Sequence, residues 1–318
     1  MRAQSCVPED AGDAVHYLCL PHAGSCSSAV TEHAHAGIVF ARKGEGRAMK
    51  LGVCAPVGEV AGLRDVPFDY LEESVQRFLV PERPREDFEE NLRRARSLPV
   101  PIEAANSLLP PDLVLVRTPH QEVDAVRLER YIRTALERAE QSGIRVIVFG
   151  SGAARACPPD WDRADAERQI GEHLARWSEW ARACGVTLAL ETLRYEETNT
   201  LNTVAEGGAL VRGIAASGAT LLADLYHMAC NGEPPDSLLP WASLLAHTHV
   251  AEREERTPPG RHGDDFRPYL AALQRAGYDG RMSIECAWHD FPAEVGPAMA
   301  ALRQQWLDVE GARPDQTA

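Results

Sequence analysis

Four apolar runs decide the fold of this chain: VTLALE (186–191), TLLAD (220–224), LLAHTHV (244–250) and RMSIE (281–285). Each run is almost continuous in apolar residues, which is typical of a strand buried on both faces of a parallel sheet. Each also carries a carboxylate or an imidazole at or near its C-terminal end: Glu191, Asp224, His249 and Glu285. Successive runs are separated by roughly one helix and its loops. We therefore expect the strand ends to meet at one edge of a sheet.

The four strand-end side chains predict a metal site. Converging strand ends bring side chains together even when they are far apart in the sequence. Three carboxylates and one imidazole form a ligand set for a divalent cation that prefers oxygen. We expect one divalent metal ion, with Mn²⁺ as the first choice and Mg²⁺, Co²⁺ or Zn²⁺ as alternatives.

The rest of the chain from Met49 alternates between strand-like and helix-like segments. Four further strands are predicted in the runs LGVCAP (51–56), FDYLEE (68–73), PIEAANSLL (101–109) and RVIVFGSG (145–152). Helical periodicity covers residues 83–96, 123–143 and 162–185, and the last two segments end at glycines. Eight strands alternating with helices predict an α/β fold, a (β/α)8 TIM barrel over residues 49–310. An open doubly wound sheet is the alternative, but the glycine-rich dinucleotide loop expected after its first strand is missing.

Composition limits the partners of the chain. Asp and Glu number 47 against 33 Lys and Arg, which gives a formal charge of −14. This balance disfavours a protein that binds nucleic acid by neutralising its phosphates. No apolar run reaches the length of a membrane span and no secretory signal is visible, so we expect no membrane partner and a cytoplasmic location. The eight cysteines form no C-x-x-C pair and are expected to be reduced thiols.

The two ends of the chain differ from the barrel segment. Residues 1–48 contain four of the eleven histidines and little periodicity. They are interpreted either as a poorly ordered N-terminal extension or as the product of an upstream start codon. Residues 311–318 are expected to form a frayed tail.

Four segments carry a resemblance to a known family: residues 188–203, 221–229, 247–266 and 277–285. Together they resemble the xylose isomerase-like superfamily of sugar and sugar-phosphate isomerases and epimerases. The chain is most similar to the branch of ketose 3-epimerases and hydroxypyruvate isomerase. The resemblance extends from Met49 to about Leu307 and is strongest after residue 185. It implies a divalent-metal-dependent isomerase that acts on a small polyhydroxylated carbonyl compound, and it suggests a homo-oligomer by analogy.

The resemblance also implies roles for individual residues. Glu191, Asp224, His249 and Glu285 match the metal ligands of the family, and Glu191 and Glu285 also match its acid/base pair. His227 matches a histidine that contacts substrate oxygens. Arg256 matches an arginine after the seventh strand, with Arg253 as a rival because this loop is one residue longer here. A further substrate-binding glutamate corresponds to Glu196 or Glu197, and counting without gaps to Leu201 favours Glu197.

The residues themselves leave the reaction open. Two glutamates that flank a substrate can remove a proton and return it to the opposite face, which inverts a carbon centre. A single glutamate would give aldose–ketose isomerisation instead. We expect an isomerase or epimerase of a small sugar, keto-sugar or cyclitol. The alternatives are a metal-dependent dehydratase on a related keto-polyol and a non-catalytic barrel that binds sugar or a partner protein.

Several other polar residues are weaker candidates. Asn106 is interpreted either as a substrate-binding residue or as a turn-forming asparagine. Arg155 either meets an anionic group or is a solvated side chain. His247 is expected to be a hydrogen-bonded histidine of the core, two residues below His249 on the same strand face. His262 and Asp264 could add to the pocket, but a three-metal nuclease is disfavoured because the second and third predicted strands lack histidines.

Overall fold

The computed structural model of the protein describes residues 49–63 and 65–311. The predicted extension of residues 1–48 and all but the first residue of the predicted tail (312–318) lie outside the described residues, so both stay predictions. The last helix of the structure reaches Gly311, one residue beyond the predicted end of the barrel.

Eight parallel strands close into a barrel in the order of the sequence, and the eighth pairs with the first. Their bounds are β1 Lys50–Cys54, β2 Tyr70–Ser74, β3 Ile102–Asn106, β4 Val146–Phe149, β5 Thr187–Glu191, β6 Thr220–Asp224, β7 Leu245–Val250 and β8 Arg281–Ile284. Six of the eight predicted runs contain one of these strands in full, and the other two miss one residue each, Lys50 of β1 and Ser74 of β2. The (β/α)8 prediction is confirmed, and the open doubly wound alternative is wrong because a closed sheet has no edge strands.

Helices follow the strands along the chain. They are α1 Val57–Val60, α2 Arg85–Ala95, α3 Ala125–Ser142, α4 Arg163–Ala183, α5 Val204–Gly213, α6 Leu225–Cys230, α7 Arg267–Arg275 and α8 Phe291–Gly311. Shorter 3-10 or π-helical segments cover Val75–Leu79, Ala215–Ser217 and Pro235–Leu244. In the part of the chain that the structure describes, no helix is both long enough and apolar enough to cross a lipid bilayer.

Local sequence signals set the helix boundaries. Asp124 caps α3 by accepting a hydrogen bond from the backbone N–H of Arg127, and Asp162 caps α4 in the same way. Gly143 ends α3 in the left-handed conformation, with φ of 80°, as the sequence predicts. Thr203 and Glu206 form a capping box at the start of α5.

The core has two parts. The larger part lies between the strands and the surrounding helices, with buried residues such as Leu71, Ile147 and Trp177. The smaller part fills the barrel interior with Tyr70, Ala104, Val146, Val148, Ala189 and Leu222. Gly52 on β1 makes room for Tyr70, since a methyl group at Gly52 would lie 2.3 Å from the Tyr70 ring. The barrel is therefore a packed core and not an open pore.

The interior becomes polar toward the C-terminal ends of the strands. Side chains two residues apart on a strand point to the same face. On β2, Tyr70 is therefore followed inside the barrel by Glu72, while Glu73 points to the outer face and contacts Val57 and Arg77. On β7, His247 and His249 both point inward. This alternation places the polar interior layer just below the mouth of the barrel.

Candidate metal and catalytic site

The four residues predicted as metal ligands meet at the C-terminal mouth of the barrel. Glu191 is the last residue of β5, Asp224 is the last of β6, His249 is the last but one of β7, and Glu285 directly follows β8. Each offers one potential ligand atom, and these four atoms all lie within 4.8 Å of one another. We name these four residues the carboxylate–histidine cluster.

His249 lies at the centre of the cluster. Its Nδ1 atom is 3.1 Å from Oε1 of Glu191 and 3.1 Å from Oε2 of Glu285. Its Nε2 atom points the other way, 3.0 Å from Oε1 of Glu72. The imidazole is completely buried. One ring nitrogen therefore faces the strand-end carboxylates and the other faces the barrel interior.

Asp224 uses its two oxygens differently. Oδ1 accepts hydrogen bonds from the backbone N–H groups of Tyr226 at 2.7 Å and His227 at 3.4 Å, which caps the short helix α6. Oδ2 lies 3.3 Å from Nη2 of Arg256 and belongs to the mouth of the barrel. Asp224 therefore caps α6 with Oδ1 and places Oδ2 at the mouth of the barrel.

Arg256 joins the cluster from the loop that follows β7. Its Nη2 lies 2.5 Å from Oε2 of Glu285, and its Nε donates to the backbone oxygen of the same residue at 3.1 Å. The rival Arg253 is mostly exposed and pairs with Asp264. The structure therefore brings Arg256, and not Arg253, to the carboxylates.

Glu197 and Asn106 also lie at the mouth. Glu197 accepts a hydrogen bond from Nε of Arg194 at 2.8 Å, and its Oε1 lies 3.9 Å from Nη1 of Arg256. The competing Glu196 is exposed. Asn106, at the end of β3, donates from Nδ2 to Oε1 of Glu285 at 2.7 Å. Both Glu197 and Asn106 are thus within reach of a molecule that contacts the cluster.

His227 is buried beside the cluster and has unused hydrogen-bonding capacity. Its Nε2 lies 3.4 Å from Oδ2 of Asp224. Neither ring nitrogen makes a hydrogen bond within the described part of the chain. A buried polar group without a partner is costly, so these nitrogens are suited to an additional partner at the site.

The cluster concentrates negative charge. Burial raises the pKa of Glu191, and the nearby Glu285 raises it further. Burial opposes ionisation of Glu285 as well, but His249 and Arg256 outweigh it and lower the pKa of Glu285 to about 2. Burial disfavours the charged imidazole, yet Glu285 and Glu72 together hold the pKa of His249 well above its usual value. The surroundings of Nδ1 of His249 therefore favour positive charge at that point.

Three residues near the cluster were not predicted from the sequence: Glu72, Gly150 and Cys54. Glu72 and Glu73 are adjacent in the second predicted strand. Glu72 lies two residues after Tyr70 and so shares its face, but the sequence alone does not show which of the two glutamates faces the barrel interior. A methyl group at Gly150 would lie 2.3 Å from Oε2 of Glu191, so the glycine makes room for that carboxylate. Cys54 ends β1, and its sulfur lies within 4.8 Å of ligand atoms of His249 and Glu285.

Other predicted polar residues have different surroundings. Within the described ranges, neither His262 nor Asp264 belongs to any group of side chains that could hold a metal ion. Nδ1 of His262 lies 3.4 Å from Glu254, and Asp264 accepts a hydrogen bond from the backbone of Arg253. Arg155 is fully buried, so the interpretation as a solvated side chain is wrong.

His247 is a hydrogen-bonded histidine of the barrel interior, as the sequence predicts. It is completely buried, and its Nε2 lies 2.7 Å from Oε2 of Glu72. Its contact is with Glu72 and not with the strand-end carboxylates.

A closed barrel with carboxylates and an imidazole at its C-terminal mouth defines the class of the protein: it is a TIM-barrel protein with a candidate metal and acid/base site. The family model described as xylose isomerase-like TIM barrel matches residues 60–308. The chain belongs to this xylose isomerase-like TIM barrel family.

Individual relatives are sugar epimerases and isomerases. The chain is 31% identical to the L-ribulose 3-epimerase of Mesorhizobium japonicum over 169 residues. This matched segment covers 51% of this chain and 54% of the relative. The chain is 30% identical to a putative hydroxypyruvate isomerase of Streptomyces coelicolor over 139 residues. This second segment covers 42% of this chain and 50% of the relative. The matched segments thus span about half the length of these curated relatives.

The fold is also that of solved epimerases. The D-psicose 3-epimerase of Clostridium cellulolyticum H10, solved with D-tagatose, superimposes with a TM-score of 0.66 at 20% identity. The superposition covers 82% of this chain and 99% of that one. This similarity supports the fold.

Proposed function

We propose that the protein is a divalent-metal-dependent isomerase or epimerase of a small sugar, keto-sugar or cyclitol. The observation that carries the proposal is the approach of Glu191 and Glu285 to the same nitrogen of His249, each at 3.1 Å, with Asp224 beside them. The similarity to an L-ribulose 3-epimerase and to a putative hydroxypyruvate isomerase supports this reaction class.

The cluster has the chemistry of a divalent-cation site. Glu191, Asp224, Glu285 and Nδ1 of His249 would hold the ion, because they supply three carboxylates and one imidazole at mutual distances within 4.8 Å. The ring of His227, whose nitrogens make no hydrogen bond among the described residues, is a further polar group next to it. Mn²⁺ is our first choice because oxygen ligands dominate, with Mg²⁺, Co²⁺ and Zn²⁺ as alternatives. When bound, such an ion would act as a Lewis acid that polarises the substrate carbonyl.

The proton transfer is assigned to Glu191 and Glu285. They come from β5 and from the end of β8, so a substrate between them would have one carboxylate near each face. One carboxylate would remove the proton from the carbon next to the carbonyl, and the other would return a proton to the opposite face, which inverts the centre. If a single carboxylate instead returns the proton to the former carbonyl carbon, and a proton moves from the neighbouring hydroxyl oxygen to the carbonyl oxygen, the product is an aldose–ketose isomer.

The remaining residues are assigned to substrate binding. Arg256 and Asn106 both contact Glu285, and Glu197 lies beside Arg256. Their guanidinium, amide and carboxylate groups match the hydroxyl and carbonyl oxygens of a polyhydroxylated substrate. His227 would add a donor or acceptor from α6. A cytoplasmic location, expected from the sequence, and a homo-oligomeric state, expected by analogy with the family, are part of the same proposal.

The proposal is tested with the purified full chain, loaded with Mn²⁺ and incubated with ketoses, cyclitol ketones and hydroxypyruvate in D2O. We expect NMR to detect a stereoisomer or isomer of one substrate with deuterium on the carbon next to the carbonyl. Glu191→Gln and Glu285→Gln should each abolish turnover, whereas Glu254→Gln, an exposed control on the loop after β7, should not. Loss of water to an unsaturated product would identify a dehydratase. Tight metal binding without turnover of any compound would identify a binding barrel.

A further inference from the structure

We propose that Glu72 is a positioning residue that fixes the tautomer and the orientation of His249. In this arrangement Nε2 of His249 carries the ring proton and Nδ1 presents its lone pair to the carboxylate–histidine cluster. The inference rests on the proposed function, because it gives the cluster a metal ion to bind. It assigns a role to a residue that belongs neither to the cluster nor to the substrate-binding set.

Glu72 lies in the barrel interior with both of its oxygens engaged. Oε1 is 3.0 Å from Nε2 of His249. Oε2 is 2.7 Å from Nε2 of His247 and accepts a hydrogen bond from Oγ of Ser283, also at 2.7 Å. The hydroxyl of Tyr70 lies 2.8 Å from the same Oγ of Ser283. The carboxylate is therefore held by groups from β7 and β8, which reach it across the barrel interior.

The chemistry of imidazole explains what this contact does. A neutral histidine carries one proton, and the nitrogen that binds a metal must be the one without it. An ionised carboxylate can only accept hydrogen bonds. Oε1 of Glu72 therefore keeps a proton on Nε2 of His249. Nδ1, which lies 3.1 Å from Glu191 and from Glu285, is then the nitrogen that gives up its proton to bind an ion. A carboxylate behind a metal-binding histidine is a recurrent way to orient the ring.

The cost of this arrangement argues against a purely structural role. Glu72 is completely buried, and taking a carboxylate out of water is expensive even when it is paired. An apolar side chain of similar length would fill the same space without that cost, as the neighbouring interior residues Tyr70, Ala104 and Leu222 do. The carboxylate instead occurs at an interior position that contacts the central histidine of the cluster.

The adjacent Glu73 provides a matched control. It is also buried and also on β2, but it accepts hydrogen bonds from the backbone N–H of Val57 and from Nε of Arg77, outside the barrel interior. Replacing either glutamate with glutamine removes one buried charge from the same strand. Only the change at Glu72 alters the group that faces His249.

The test compares Glu72→Gln, Glu73→Gln and wild type as full chains stripped of metal and titrated calorimetrically with Mn²⁺. We expect the dissociation constant to rise by about 10- to 100-fold for Glu72→Gln, the range observed when the outer partner of a metal-binding histidine is changed. We expect no such change for Glu73→Gln. Equal affinities in wild type and in a folded Glu72→Gln variant would overturn the inference while the metal site stands. Failure of wild type to bind any Mn²⁺ would overturn the proposed function and this inference with it.

A second measurement needs no variant to fold. The ¹⁵N resonances of the histidine rings, recorded for wild type loaded with diamagnetic Zn²⁺, report which nitrogen of His249 carries the proton. We expect the proton on Nε2. A proton on Nδ1 would overturn the inference whatever the affinity.

Discussion

The carboxylate of Glu191 lies directly against the backbone of Gly150, so that a methyl group on Gly150 would lie 2.3 Å from Oε2 of Glu191. Gly150 follows β4 and Glu191 ends the neighbouring β5. Gly150 is therefore needed for the space that it leaves to Glu191, because an added methyl group would collide with the end of that side chain. A larger residue at this position would displace the carboxylate from the cluster.

Gly150→Ala is therefore predicted to damage the site while it leaves the fold intact. The end of Glu191 can rotate away at little cost in stability, but Oε1 would then leave its place 3.1 Å from Nδ1 of His249. We expect Mn²⁺ affinity to fall by at least about tenfold, with the free energy of unfolding changed by less than about 1 kcal/mol. Calorimetric titration and urea denaturation measure the two quantities.

Gly296→Ala is the control for this prediction, because a methyl group there would meet nothing within 4 Å. It should leave Mn²⁺ affinity unchanged. The same affinity in Gly150→Ala as in wild type would show that Glu191 does not bind the ion.

Glu252 organises the loop that carries Arg256. This buried carboxylate accepts hydrogen bonds from the backbone N–H groups of Gly260, His262, Gly263 and Asp264 at 2.5–3.3 Å. We predict that Glu252→Gln costs about 2–4 kcal/mol in unfolding free energy, because an amide is neutral and carries only one acceptor oxygen for these donors. Hydrogen exchange of residues 260–264 should become faster.

The control for the loop is Glu254→Gln, whose side chain is exposed and contacts His262 at 3.4 Å. It should change the unfolding free energy by less than about 0.5 kcal/mol. Equal hydrogen exchange in the two variants would contradict the role of Glu252.

We predict that Glu233, which lies outside the carboxylate–histidine cluster, makes the stability of the protein depend on pH. Burial raises its pKa to about 7, the hydrogen bond from the backbone N–H of Val204 opposes this, and Glu206 adds to it. Its Oε1 is buried and has no hydrogen-bond partner among the described residues. Because the folded-state pKa is the higher one, the stabilising contribution is complete below about pH 4.5 and is lost as the pH rises to about 7.

Glu233→Gln should remove this contribution. Between pH 4.5 and pH 8 the unfolding free energy of wild type should fall relative to that of the variant by on the order of 2 kcal/mol, because solvent screens part of the effect of burial on this partly exposed side chain. Urea denaturation at several pH values measures the difference, and the exposed Glu122→Gln is the control. Parallel pH profiles for wild type and Glu233→Gln would refute the prediction.

The sequence predicted the architecture well because four of the strands are short apolar runs, each with a carboxylate or an imidazole at or near its C-terminal end, and the other four alternate with helix-like segments. The convergence of Glu191, Asp224, His249 and Glu285 followed from the rule that parallel strands present their C-terminal ends at one face. The choice of Arg256 over Arg253 did not follow from spacing alone. It depends on the turn at Glu255 and Arg256, both of which have positive φ values, and such a conformation is not visible in the composition of the loop.

The supporting residues were harder to predict because their function depends on contacts across the barrel. Glu72 acts on His249 across the barrel interior, and only the pairing of β8 with β1 brings β2 near β7 in this way. Gly150 is recognisable as important only when the position of the Glu191 side chain is known. Arg155 looked like a surface residue of a glycine-rich turn, but the loop after β4 folds inward and buries it.

The central claim is that the strand-end side chains jointly bind one divalent cation, and calorimetric titration of Asp224→Asn tests it most directly. Asparagine retains an oxygen that can cap α6 as Oδ1 of Asp224 does, so the local fold is preserved. Metal-stripped wild type should bind one Mn²⁺ per chain, and so should the exposed control Asp236→Asn. Asp224→Asn should bind it more than about 100-fold more weakly, because loss of a direct ligand exceeds the effect of an outer partner. Failure of wild type to bind Mn²⁺, or equal affinity in Asp224→Asn, would contradict the claim.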